Sequence, residues 1–126
     1  MSAEMPRPRD YRDLVVWKKG MELARHVYEI TKTFPEGEKF GLVSQMRRAA
    51  VSVPSIIAEG QARNTTGEFI PFLSHAVGSV SELDTQLILC VELGFSSQSK
   101  TQPARELILE LRKMLTTLRK KLSSGP

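Results

Sequence analysis

Cysteine, histidine and aromatic side chains are scarce here: of 126 residues one is Cys and two are His, and aromatics make up 6%. The single cysteine, Cys90, excludes a framework of internal disulfides and suits a reducing compartment. It lies within Leu87-Ile88-Leu89-Cys90-Val91 and so reads as a small buried hydrophobe rather than a reactive thiol. No apolar run approaches the roughly 20 residues of a membrane span. The opening Met-Ser-Ala-Glu-Met-Pro-Arg-Pro-Arg-Asp lacks the apolar stretch of a secretory leader. These absences give the expectation of a cytoplasmic chain without a membrane association. Catalytic signatures are missing as well: no G-x-S-x-G elbow, P-loop, H-E-x-x-H or C-x-x-C occurs. The expectation is a protein that is not an enzyme and takes no cofactor or metal. Glu22, His26 and Glu29 share one polar helical face, and such a trio reads as solvated side chains rather than a metal site. His75, among Phe72, Ala76 and Ser79, reads as a hydrogen-bonded packing histidine.

Charge is present but unevenly spread. The formal net charge is +4, with an isoelectric point near 9.5. Residues 1–63 carry 11 basic and 8 acidic side chains, residues 64–99 carry four acids and no Lys or Arg, and residues 100–126 carry seven basic and two acidic ones. Segregation of this kind predicts a basic face and an acidic one, the basic one suited to RNA, DNA or an acidic protein.

The chain has the length of one domain with a core of its own. Helical periodicity dominates and no strand pattern competes with it. Residues 1–12, rich in Pro and Arg, read as a flexible arm, residues 13–122 as the helical domain and residues 123–126 as a tail. A first helix is expected from about Asp13 to Phe34, closed by Phe34-Pro35-Glu36-Gly37. Two apolar seams run along it. One holds Leu14, Trp17, Met21, Ala24, Tyr28 and Thr31, and the other Val16, Leu23, Val27, Ile30 and Phe34. A second helix is expected over roughly Lys39 to Ala62 despite Pro54 in its middle, where a proline costs about 3 kcal/mol unless packing offsets it. Thr65 and Glu68 form a capping box for a third helix from about Thr66 to Leu93, which Gly94 ends. A fourth is expected from near Thr101, with Pro103 in its first turn, to about Leu122. Its stripe of Leu107, Leu111, Leu115, Leu118 and Leu122 is narrow enough to suggest the most peripheral helix. Short connections between long amphipathic helices predict an all-α, antiparallel up-down four-helix bundle.

Two sets of residues are candidates for function. Arg105, Arg112 and Arg119 recur every seven residues, with Lys113 and Lys120 beside the second and third. Successive arginines stand about 10 Å apart along a helix, so the row could bind phosphates in turn. No aromatic residue interleaves it, so base stacking on this row has no support. Arg47, Arg48 and Arg63 add cations on and beside the second helix. There, Arg48, Ser52, Ser55 and Glu59 form a polar stripe among small residues, a pattern that suits a solvated surface or a subunit interface. Glu59 and Arg63 are spaced for an intrahelical pair. Glu82, near Gly78 and Ser79 on the third helix, is a candidate partner across the bundle.

Five stretches, read together, resemble a known family: Tyr11-Arg12-Asp13-Leu14-Val15-Val16-Trp17, Phe34-Pro35-Glu36-Gly37-Glu38, Gln45 to Ser55, Ile57-Ala58-Glu59-Gly60, and Glu68-Phe69 with Gly78-Ser79-Val80-Ser81-Glu82-Leu83. They resemble the four-helix-bundle family of the 23S rRNA intervening-sequence protein, over residues 11–95. The resemblance implies a homo-oligomeric ring of five bundles. It also implies a fold shared with the accessory variability determinants of diversity-generating retroelements, which are basic, bind nucleic acid and dock on a reverse transcriptase. Pro54, Ile56, Glu59, Gly60, Gly78 and Glu82 are the expected interface or structural residues. The family usually has Asn where Ile56 stands, so any hydrogen bond made there is replaced by an apolar contact. The function expected is a non-catalytic, nucleic-acid-associated oligomeric adaptor, with Arg47, Arg48, Arg63, Arg105, Arg112, Lys113, Arg119 and Lys120 on phosphates. The alternative is a scaffold that docks a partner enzyme such as a reverse transcriptase, with nucleic acid incidental.

Overall fold

The computed structural model describes residues 10–124, and among these the chain is all-α, with no strand. Four helices carry the fold: α1 Val15–Thr31, α2 Leu42–Gln61, α3 Thr66–Glu92 and α4 Gln98–Ser123. Each packs on its neighbour in sequence, and α4 closes back on α1, so α1 and α3, like α2 and α4, stand diagonally across the bundle. The arm expected over residues 1–12 lies mostly outside the described residues. Its last part leads into a 3-10 turn at Tyr11–Asp13, capped by the Asp10 carboxylate, which accepts from the Arg12 amide at 2.8 Å.

The helix ends follow local chemistry, and three depart from expectation. α1 stops at Thr31 rather than Phe34, because Pro35 disfavours helix at the residue before it. Phe34 instead turns inward, buried, with its ring 5.6 Å from that of Phe95. α2 starts at Leu42 rather than Lys39, after a 3-10 turn at Glu36–Glu38, and the Glu38 carboxylate accepts from the Leu42 amide at 3.2 Å. α4 starts a turn early, at Gln98, where the Ser97 hydroxyl accepts from the Lys100 amide at 3.2 Å. Pro103 therefore lies in the second turn.

The other two signals are met. Thr65 and Glu68 form both halves of a capping box at the start of α3. Gly94, at φ 80°, ends α3 with its own amide on the Val91 carbonyl at 3.0 Å and the Phe95 amide on the Cys90 carbonyl at 2.9 Å. That left-handed closure is one glycine adopts without strain.

The core is a single cluster drawn from all four helices. Leu23 and Val27, Met46, Ala50, Val53 and Ile57, Leu73, Ala76, Val80, Leu83 and Leu87, and Ala104, Leu111 and Leu115 are fully buried. On α1 the Val16–Phe34 seam is the core seam, whereas Leu14, Trp17 and Ala24 only border it and Tyr28 is 42% exposed. α4 is less peripheral than its leucine stripe suggests, because Thr101, Ala104 and Ile108 widen the buried face.

Close approach explains Pro54. α2 runs unbroken through it, and Pro54 is buried against α1. A Cβ added at Gly20 would stand 3.2 Å from Val53 Cγ1 and 3.4 Å from Pro54 Cδ. The tight α1–α2 crossing offsets the missing backbone bond. Gly60 does the same between α2 and α3, where an added Cβ would meet Phe72 Cβ at 2.5 Å. Cys90 is buried, donates to the Leu87 carbonyl at 3.2 Å, and has its thiol pushed up to about 11 by burial.

Candidate nucleic-acid interface

The eight candidate cations do not form one face. Arg47 and Arg48 sit on α2, while Arg105, Arg112, Lys113, Arg119 and Lys120 sit on α4, the helix across the bundle from it. Sequence spacing puts cations along a helix but says nothing of which neighbour that side meets.

Along α4 the arginine row points at α3. Arg105 Nε donates to Asp84 Oδ1 at 2.8 Å, and the carboxylate raises the pKa of the guanidinium. Arg119 Nη1 donates to Ser74 Oγ at 3.0 Å. Between them Arg112 is half-buried, its Nε enclosed and, among the described residues, without a hydrogen-bond partner. Glu110, on the same helix, is held from the other side, where Lys19 on α1 takes its carboxylate as an ion pair. That contact raises the Lys19 pKa.

Lys113 and Lys120 differ from the row. Both are exposed and, among the described residues, neither makes an ion pair. Lys121 belongs with them although it falls outside the seven-residue spacing; the Lys120-Lys121 doublet is its signal in the sequence. Lys113 and Lys121 flank an open groove of about 400 Å³ between α1 and α4, whose floor is Leu14, Val15, Val16, Met114, Thr117 and Leu118.

The α2 cations have another setting. Arg47 is half-buried and fixed by α1: its Nε donates to Thr31 Oγ1 at 2.9 Å, its Nη2 to the Tyr28 carbonyl at 3.4 Å, and its guanidinium lies 4.5 Å over the Tyr28 ring. Arg48 is exposed and makes no ion pair among the described residues. Both line a second open groove, with Tyr28, Lys39, Phe40 and Val51. Phe40 and Lys39 carry no sequence signal for such a site, and Tyr28 reads in sequence only as part of an apolar seam. Arg63 lies just beyond the end of α2, and its guanidinium stands 4.8 Å over the Phe72 ring.

The expected interface residues divide in the same way. Pro54 and Gly60 are buried inside the bundle and serve helix packing within one chain. Ile56 is half-buried against the core. Glu59, Gly78 and Glu82 are exposed. Glu82 accepts from Gln86 on its own helix at 3.5 Å rather than reaching across the bundle. The α2–α3 polar contact is instead Ser52 to Ser79, at 3.0 Å. His75, expected as a packing histidine, is exposed, because its side of α3 faces away from the core. Glu29, one of the polar trio on α1, pairs with Lys32 at 2.8 Å.

Among the described residues no helix is long and apolar enough to cross a membrane. No curated protein matches the chain. Its fold is similar to the crystal structure of a protein of unknown function from the S23 ribosomal protein family of Bacteroides thetaiotaomicron, with a TM-score of 0.75 and 22% identity over 84% of this chain and 99% of that one. The sequence pattern of the 23S rRNA-intervening sequence protein family matches residues 12–117. With most of its length matched, the chain belongs to the 23S rRNA-intervening sequence protein family.

Proposed function

We propose that this protein is a non-catalytic, nucleic-acid-associated adaptor of the cytoplasm. Its bundle runs antiparallel, up and down, and assembles into a ring of five copies. The observation that carries this reading is the uncompensated positive charge at the end of α4. From residue 112 onward there are five basic side chains and no acidic one. Lys113, Lys120 and Lys121 are exposed there without ion pairs among the described residues. Arg48 adds a cation on α2 with no ion pair among the described residues, and Arg47 and Arg63 are held on aromatic rings. Free ammonium and guanidinium groups bind phosphate by releasing its counterions, which requires no sequence readout. Repetition around a ring would multiply such contacts through effective concentration. Lys120 and Lys121 also offset the negative end of the α4 dipole, a local role compatible with phosphate contact.

Fluorescence anisotropy with labelled RNA and DNA at low salt tests this, with light scattering on the same samples for the oligomer mass. Replacing Arg112, Lys113, Arg119 and Lys120 together with Glu is expected to abolish binding and leave the mass unchanged. Unaltered affinity in that variant would remove α4 from the site, and no binding by the native chain would remove the reading itself. The groove between α1 and α4 favours a second reading, a scaffold for a partner protein, because its apolar floor includes Val15 at 52% exposure. Retention of one specific protein after nuclease treatment is the result that reading predicts.

A further inference from the structure

The turn leading into α2 holds the most exposed large apolar side chain among the described residues, Phe40, at 90%. It stands at the edge of an open groove of about 680 Å³ between α1 and α2, together with Tyr28, Val43 and Val51. A single exposed apolar residue is ordinary on a protein surface. Here three of them, Phe40, Tyr28 at 42% and Val51 at 43%, share one concavity. Among the described residues the charge on that concavity has one sign: Lys39, Arg47 and Arg48 line it, and no acidic residue does. Lys39 Nζ lies 5.6 Å from the centre of the Phe40 ring. Arg47 is held against Tyr28 by two hydrogen bonds to α1, so this cation and ring are ordered before any ligand arrives.

A ligand that complements this groove must bring negative charge and flat apolar faces at short, repeated intervals. An unpaired nucleotide strand has both in every unit, whereas a duplex keeps its base faces stacked inside. We propose that the α1–α2 groove is a stacking site for single-stranded nucleic acid, in which a base lies on Phe40 beside the Arg47–Tyr28 pair and neighbouring phosphates meet Lys39 and Arg48. This rests on the nucleic-acid reading above and names the form of the strand and the residues that hold it.

The test compares two probes on the full chain: a labelled oligoadenylate, and a sugar–phosphate oligomer of equal length without bases. Native protein is expected to bind the oligoadenylate roughly five- to 150-fold more tightly, the range that stacking one base on an aromatic ring supplies. Phe40→Ala should abolish that difference while leaving affinity for the abasic oligomer unchanged, and Phe40→Trp should restore it. Phe40 lies outside the core, so both variants keep the bundle. Equal binding of the two probes by native protein would overturn the stacking site and leave phosphate binding standing. Binding of neither at low salt would overturn both readings. A fall in oligomer mass on Phe40→Ala would give the groove to a second copy of the chain and overturn the proposal.

Discussion

Two regions of this bundle are basic, and they differ in what faces them. Along α4 the arginine row looks onto α3, where Asp84 pairs with Arg105 and Ser74 accepts from Arg119. In the α1–α2 groove Arg48 has no counter-ion among the described residues, and Arg47 is braced by a ring, a hydroxyl and a carbonyl, none of them charged. The regular row is the more visible pattern in the sequence, yet part of its charge is already answered within the molecule. Compensation by a neighbouring helix, rather than the number of cations, decides which are available to a phosphate.

That contrast holds only if both regions ride on one close-packed bundle, so the largest effect expected is on packing. Gly60→Ala puts a Cβ 2.5 Å from Phe72 Cβ and 2.8 Å from Phe69 Cδ1. Neither α2 nor α3 can yield there cheaply, and a decrease of about 3 kcal/mol is expected in denaturant unfolding. Gly78→Ala meets nothing within 4 Å on α3 and should raise stability by up to about 1 kcal/mol. Equal effects of the two substitutions would show that the α2–α3 crossing is looser than described.

The contrast itself is sharpened by single charges. Arg48→Glu is expected to weaken nucleic-acid binding about tenfold at low salt, since it removes an unpaired cation and adds repulsion. Arg105→Ala should leave binding nearly unchanged and lower stability by about 0.5 kcal/mol, the usual size of an exposed pair. A reversed order, with Arg105 the more important for binding, would break the comparison.

The smallest effect belongs to another compensated cation, Arg12. Its hydrogen bonds hold the Asp10 carboxyl at about 2, below the ordinary value of 3.8. The native state then binds fewer protons than the unfolded one across that interval. The pair's contribution is complete above the ordinary value and fades as pH falls toward 2. Asp10→Asn should make the acid side of the stability profile slightly shallower.

Much of the fold was legible because its signals are local. The Thr65–Glu68 box and Gly94 act on bonds a few residues away, and both work as their spacing predicts. The three helix ends that moved depend on a Glu38 side chain reaching forward, a Ser97 cap, and Pro35 acting on Phe34, where neighbouring signals compete. The site was less legible for a geometric reason. A period of seven puts Arg105, Arg112 and Arg119 on one side of a helix but cannot say that this side meets Asp84, 21 residues earlier in the chain. Gly60 and Gly78 read alike in sequence, and only the approach of Phe72 separates them. The α1–α2 groove was invisible because Tyr28, Phe40 and Arg47 come from a helix, a turn and the next helix.

The most direct test of the central claim, that cations without a counter-ion bind phosphate and the paired Arg105 of the periodic row does not, is the salt dependence of single-strand binding. Native protein, Arg48→Ala and Arg105→Ala should be titrated with one labelled oligonucleotide across a salt series. For Arg48→Ala the log–log slope is expected to become shallower by about 0.7, the value for one phosphate no longer neutralised. For Arg105→Ala it is expected to stay at the native value. An unchanged slope for Arg48→Ala, or an equal reduction in both variants, would contradict the account.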